Sequence, residues 1–154
     1  MTVMKEMQFP VSLRWRGGRL ARAEAPDKES LELATPPEFR SGLHGYWSPE
    51  DLLVTATASC FVLTLAALAE RHDAPLLDAS VTATGHMSHR DDGRFGFTVI
   101  EIDAALETVA GGEEAVRAAA KAAEARCLIT PALDVPVHVA VSVEVVTPET
   151  HAVR

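Results

Sequence analysis

Trp47-Ser48-Pro49-Glu50-Asp51-Leu52-Leu53, running on into Ala58-Ser59-Cys60-Phe61-Val62-Leu63, is the stretch on which the reading of the fold turns. It opens as a helix. Ser48 is a good N-cap, Pro49 suits the first helical position, where no amide hydrogen is needed, and Asp51 stands where a capping box wants a carboxylate. From Leu52 to Ala69 no charged residue appears, until Glu70-Arg71-His72-Asp73 closes the run. A helix apolar nearly all round is expected to be buried on most of its faces. In its middle sits Cys60, one of only two cysteines; the other is Cys127.

Eighteen uncharged residues are just enough to cross a bilayer. Against that stand the hydroxyls of Thr55, Thr57, Ser59 and Thr64, the many alanines, and flanks without a basic cluster. A central core helix is the expected reading, with no membrane as partner. The 154 residues are 47% apolar and 23% charged, the composition of one soluble domain spanning 1–154. A net charge of −8 argues against nucleic acid or an anionic membrane surface, since both attract cations. Met1 to Phe9 carries Lys5 and Glu6 and no apolar core, so no signal peptide and a cytoplasmic location are expected.

Outward from the helix the pattern is of strands and turns. Val11, Leu13 and Trp15 alternate with polar residues as a half-buried strand, and Gly17-Gly18 turns the chain into a second segment, Arg19 to Glu24. Leu31 and Leu33 mark a third short strand, and a loop over 35–47 leads to the helix. Beyond it, Val81 to Ser88 alternates, Asp91-Asp92-Gly93 makes a hairpin turn, and Phe95, Phe97 and Val99 return. The phase then slips to Ile100 and Ile102, which signals a bulge or burial on both faces. Glu113 to about Leu128 is an amphipathic helix, and Val135 to Val145 alternates as a last strand; the tail after Thr147 is expected to fray. Hairpins without a regular strand–helix–strand repeat place the chain in the α+β class. Six short strands and one further helix cannot cover the long helix on every side, so a homodimer is expected.

Few residues offer chemistry. His86 and His89 lie three apart on a strand and face opposite sides, a poor start for a metal site. No phosphate loop, zincin or nucleophile-elbow pattern occurs. The two thiols remain. They are either small buried hydrophobes or a pair in which one thiolate attacks a peroxide and the other condenses with the resulting sulfenic acid. Cys127, near a helix C-terminus, is expected to stay protonated and to resolve, which leaves Cys60 to attack. Cys60 then needs a cation, and Arg16, Arg19 and Arg22 are the candidates around the Gly17-Gly18 turn. Glu50 stands ten residues before Cys60, about 15 Å along a straight helix. The helix must break between them, or carboxylate and thiol must meet across a dimer interface. Otherwise Glu50 is a dipole-favoured acid of the first turn.

These residues resemble the OsmC/Ohr family of thiol-dependent hydroperoxide reductases. The resemblance is carried by Gly17-Gly18-Arg19, by Ser48-Pro49-Glu50-Asp51-Leu52 against the family's (N/S)PE(Q/E/D)L, by Ala58-Ser59-Cys60-Phe61 against (A/S)xCF, and by Ala125-Arg126-Cys127. It implies about six strands in sheets wrapped around a long central helix, with a second helix, in an intertwined homodimer without cofactor. It implies Cys60 as the peroxidatic cysteine, Cys127 as the resolving one, Arg19 as the arginine beside the thiolate and Glu50 as the acid that orients it. The implied substrate is an organic hydroperoxide, and the implied reductant an external dithiol such as a lipoyl protein. Leu128-Ile129-Thr130 departs from the Pro-x-Ser that follows the second cysteine in the best-known members, no His lies just before it, and Ser48 and Asp51 replace commoner residues. These departures place the chain nearer the broad OsmC-like group. A non-enzymatic dimer that binds a small apolar ligand, or a thiol redox sensor, is the alternative.

Overall fold

A computed structural model describes residues 6–147, so the tail after Thr147 and the first five residues of the Met1–Phe9 segment lie outside the described residues. The chain divides between Leu52 and Leu53 into two compact units.

The first unit is a three-stranded antiparallel sheet, β1 (Ser12–Gly17), β2 (Leu20–Glu24) and β3 (Leu31–Ala34), in that order. Gly17 and Gly18 take positive φ angles of 105° and 53° at the turn between β1 and β2, a backbone that side chains other than glycine disfavour. Arg19 completes that turn, so the second strand starts one residue later than expected. Val11, Leu13 and Trp15 do not form a half-buried face: all three are exposed, Trp15 to 74%, because nothing described in this unit is layered over them. After β3, Ala34 N–H donates to Trp47 C=O at 2.9 Å and Trp47 bridges Leu33 in parallel. That clasp delivers the chain to Ser48 beside the sheet.

There the expected capping box forms in full. Ser48 N–H and Oγ–H both donate to Asp51 Oδ2, at 2.9 and 2.8 Å, and Asp51 N–H donates back to Ser48 Oγ at 3.0 Å. Helix α1 then runs unbroken from Pro49 to Arg71.

The second unit is built on α1. Its sheet, in the order β4 (Leu76–His89), β5 (Phe95–Thr108), β6 (Val137–Val145), joins an antiparallel hairpin to a parallel crossover through α2 (Glu113–Arg126). The hairpin strands are longer than their alternating cores, starting at Leu76 and ending at Thr108. The slip in phase is a bulge: His86 pairs with Val99 and Met87 with Phe97, leaving Thr98 as the extra residue. Inward come Ile100, Ile102, Ala104 and Leu106 of β5, Phe61, Leu65, Leu68 and Ala69 of α1, and Val116, Ala119, Ala120 and Ala123 of α2. Each large side chain buried there contributes about 1.5–3 kcal/mol. Gly85 of β4 lets α1 come close, since a Cβ at that position would stand 2.5 Å from Phe97 Cε1 and 2.7 Å from Val54 Cγ2.

Within one chain α1 is buried along a single stripe, Thr57, Phe61, Leu65, Leu68 and Ala69, rather than on most faces. Leu63, on another face, is 68% exposed. By length and composition α1 would also qualify as a membrane span, with 28% of its most apolar window buried. One stripe of it packs into the core of its own unit, and Thr57 and Ser59 return their hydroxyls to the carbonyls of Leu53 and Ala56.

Candidate active site

Cys60 lies half-buried on α1, one residue before the fully packed Phe61. Cys127 is 4% exposed and caps the C-terminus of α2. The fold brings these two thiols, sixty-seven residues apart in sequence, close enough for the Cys60 thiol to lower the pKa of Cys127. Neither is in a disulfide.

The surroundings of Cys127 differ from the expectation of a thiol held protonated by helix carbonyls. Helix α2 ends at Arg126, about two residues early, and Cys127 takes extended backbone angles (φ −58°, ψ 129°) instead of continuing the helix. The chain then winds into a short 3-10 turn, Thr130–Ala132, with Pro131 in its first turn. This turn presents donors to the sulfur instead of carbonyls. Thr130 Oγ1–H donates to Cys127 Sγ at 3.3 Å. Burial pushes the Cys127 thiol pKa up and is the largest single influence. The Cys60 thiol, the Thr130 hydroxyl and the amides of Thr130 and Ile129 together outweigh it, and the pKa falls below the ordinary thiol value. The Cys127 thiolate is therefore easier to form than that of an ordinary thiol, opposite to what its place at the end of a helix implied.

Beside Cys127 a cleft of about 420 Å³ opens between α2 and the sheet. Phe61, Ile102, Val137 and Val139 make its apolar walls, and Lys121 and Glu124 stand at its edge. Such a mostly apolar hollow with few polar groups suits a small organic molecule.

The other expected residues lie in the first unit. Arg22 is committed at the surface, 3.3 Å from Glu24 and 3.7 Å from Glu32, and donates to Ser30 Oγ at 2.7 Å. Arg16 and Arg19 are exposed and make no ion pair among the described residues. Glu50 is partly buried, and its Oε2 is shut away from solvent without a hydrogen-bond partner among the described residues. A carboxylate oxygen left so is costly, and a guanidinium is the natural partner for it. Because α1 is continuous, Glu50 and Cys60 stand about 15 Å apart along it, which removes the possibility of a break between them.

The histidines form no metal centre: no cluster of three His, Cys, Asp or Glu side chains capable of holding an ion occurs among the described residues. His86 Nε2 lies 2.7 Å from Glu101 Oε2 on the exposed sheet face, and His89 meets Phe95 edge-on. Thr130 and the cleft walls are the site residues that sequence reasoning missed. A hydroxyl three residues after Cys127, directly before a proline that starts a turn, was the available signal.

Comparison with known proteins agrees with this architecture. No curated protein matches the chain. An OsmC-like protein from Vibrio cholerae, of unknown function, shares the fold with a TM-score of 0.80 at 14% identity, over 89% of this chain and 100% of its own. The organic hydroperoxide resistance protein OsmC from Legionella pneumophila matches with a TM-score of 0.73 at 25% identity, over 90% and 99%. An organic hydroperoxide resistance protein from Elizabethkingia anophelis matches with a TM-score of 0.74 at 20% identity, over 94% and 100%. The model of the OsmC-like protein family matches residues 42–142, which include α1, both thiols and the crossover between them. The chain thus belongs to the OsmC/Ohr family of OsmC-like proteins.

Proposed function

We propose that this protein is a cofactor-free thiol peroxidase that reduces organic hydroperoxides to alcohols. The observation that carries the reading is the meeting of Cys60 and Cys127, a half-buried thiol and a buried one, in a setting that lowers the pKa of Cys127. In the first step the Cys60 thiolate attacks the terminal oxygen of the hydroperoxide. The O–O bond breaks, Cys60 becomes a sulfenic acid, and the alkoxide takes a proton and leaves as the alcohol. Cys127 then attacks the sulfenic sulfur, hydroxide departs as water, and a Cys60–Cys127 disulfide forms. An external dithiol, such as a lipoyl group on a protein, returns both thiols by exchange. The apolar cleft beside Cys127 favours an organic over an inorganic peroxide.

Arg19 is the guanidinium that serves the Cys60 thiolate and Glu50 the carboxylate that orients it. Their ungratified state supports these roles: Arg19 lacks an ion pair and Glu50 Oε2 lacks a donor among the described residues. The protein works as a homodimer in the cytoplasm, residues 1–154 acting as one OsmC-like domain. The bare apolar side chains of Leu13, Trp15 and Leu63 are covered by the second copy.

The test is a thiol count before and after one equivalent of cumene hydroperoxide. Two thiols should vanish and an intramolecular disulfide appear, and Cys60→Ser should consume no peroxide. Retention of both thiols would leave the second reading, which the cleft favours: a dimer that binds a small apolar ligand.

A further inference from the structure

We infer that Thr130 is the positioning residue of Cys127. Its hydroxyl, donated to Sγ, makes Cys127 the sulfur that departs when an external thiol opens the Cys60–Cys127 disulfide, and so directs that thiol to Cys60. The inference rests on the reading of the pair as a redox couple.

The geometry supplies two independent reasons. The first is the donor. Thr130 Oγ1 lies 3.3 Å from Sγ, held there by the 3-10 turn that Pro131 helps to set. A hydroxyl can stabilise a departing thiolate but gives little to a sulfur already in a disulfide, so the bond strengthens as charge develops. The second is access. Cys60 is half-buried, whereas Cys127 is 4% exposed, so an in-line approach to Cys60, with Cys127 leaving behind it, meets less protein than the reverse. The lowered pKa of Cys127 agrees, because the thiol of lower pKa leaves faster. The other titratable groups around the sulfur are Cys60 on α1 and, along the cleft, Lys121 and Glu124 on α2.

The exchange balances as follows. The incoming thiolate RS⁻ bonds to Cys60 Sγ, the Cys60–Cys127 bond breaks, and its electron pair stays on Cys127 as thiolate. With a dithiol, the second thiol of the reductant displaces Cys60 in turn and leaves as a cyclic disulfide, two electrons having passed to the protein. In the oxidative half, the same hydroxyl keeps Cys127 ready to attack the sulfenic acid.

Two measurements test this, neither requiring peroxide chemistry. First, the wild-type disulfide is made with diamide and opened with a limiting monothiol, 2-mercaptoethanol. The mixed disulfide trapped at acid pH is then mapped by mass spectrometry. It is expected on Cys60, and its appearance on Cys127 would overturn the inference. Second, the rate of alkylation of Cys127 by iodoacetamide is followed against pH in the Cys60→Ser background, with Thr130, Thr130→Ser and Thr130→Val. Thr130→Val should move the midpoint up by about one unit, and Thr130→Ser should restore it. Each unit lowers the thiolate fraction about tenfold at neutral pH and raises intrinsic nucleophilicity about threefold, so disulfide formation in the valine variant should slow about threefold. Equal midpoints in all three proteins would refute the role of the hydroxyl. If diamide forms the disulfide and cumene hydroperoxide does not, the peroxidase reading fails while both tests of Thr130 stand.

Discussion

Replacing Gly85 by alanine tests the packing that sets α1 against the sheet. The added methyl would lie 2.5 Å from Phe97 Cε1 and 2.7 Å from Val54 Cγ2, where ordinary carbon contacts are about 3.5–4.0 Å, so something must move. The backbone of a strand favours alanine over glycine by about 0.5–1 kcal/mol. Overpacking costs about 1–3 kcal/mol, because Phe97 and Val54 both pack against the core and must shift to admit the methyl. The overpacking wins, and Gly85→Ala should destabilise by about 1–2 kcal/mol, which lowers Tm by about 2–8 °C in a chain of this size. Phe97→Leu removes the nearer ring atom, and in that background the alanine should cost much less. Thermal melts of the four proteins form a double-mutant cycle with a coupling of about 1 kcal/mol. A Tm at or above wild type for Gly85→Ala, or costs that simply add, would refute the close approach of α1 to β4 at this point.

Other expectations follow from the same contacts. Ser48→Ala removes two of the three bonds of the capping box and should cost about 1–2 kcal/mol by urea denaturation, with Ser48→Thr nearly neutral. Leu63→Glu places a charge on the exposed apolar face of α1, and sedimentation should show the proposed dimer giving way to monomer while circular dichroism stays unchanged. At the hairpin turn the Arg94 guanidinium, helped by the Arg94 amide, holds the Asp92 carboxyl below the usual carboxylate range. Being depressed by folding, this group supports the fold above the ordinary carboxylate pKa and loses that support as pH falls through its own lower value. A carbon-detected NMR titration should find Asp92 among the most acidic aspartates, and Arg94→Gln should return it to the ordinary range. Glu101→Gln should shift Tm by no more than about 2 °C, since His86 and Glu101 are both about half exposed and such pairs contribute little.

Much of the fold was written in local patterns. The Ser48–Asp51 spacing announced the start of α1, Asp91-Asp92-Gly93 the hairpin, and the slip from Val99 to Ile100 the bulge at Thr98. Each is set by neighbours in sequence. What escaped depends on partners remote in sequence or absent from the chain. Alternation alone made Val11, Leu13 and Trp15 look half-buried, because alternation tells which residues share a face and not whether anything covers it. The helix pattern that set the dipole at Cys127 runs about two residues past the real end of α2. A single extended residue between Arg126 and the turn at Thr130 exchanges carbonyls for donors and reverses the electrostatics. Replacement of the family's Pro-x-Ser by Leu128-Ile129-Thr130 stood out in the sequence, while the hydroxyl kept at its third position mattered more.

The parallel crossover from β5 through α2 to β6 gives the thiol pair a thermodynamic character of its own. A covalent link from Cys60 to Cys127 would enclose both strands of the hairpin and all of α2 in one ring of sixty-seven residues. Closing a ring of that size takes about 4 kcal/mol of entropy from the denatured chain, so the oxidised protein should outlast the reduced one on heating. By the same cycle the native architecture supplies that closure in advance and makes the bond harder to reduce. At roughly 1.4 kcal/mol per 30 mV, the full amount is worth near 90 mV, enough to demand a strongly reducing dithiol.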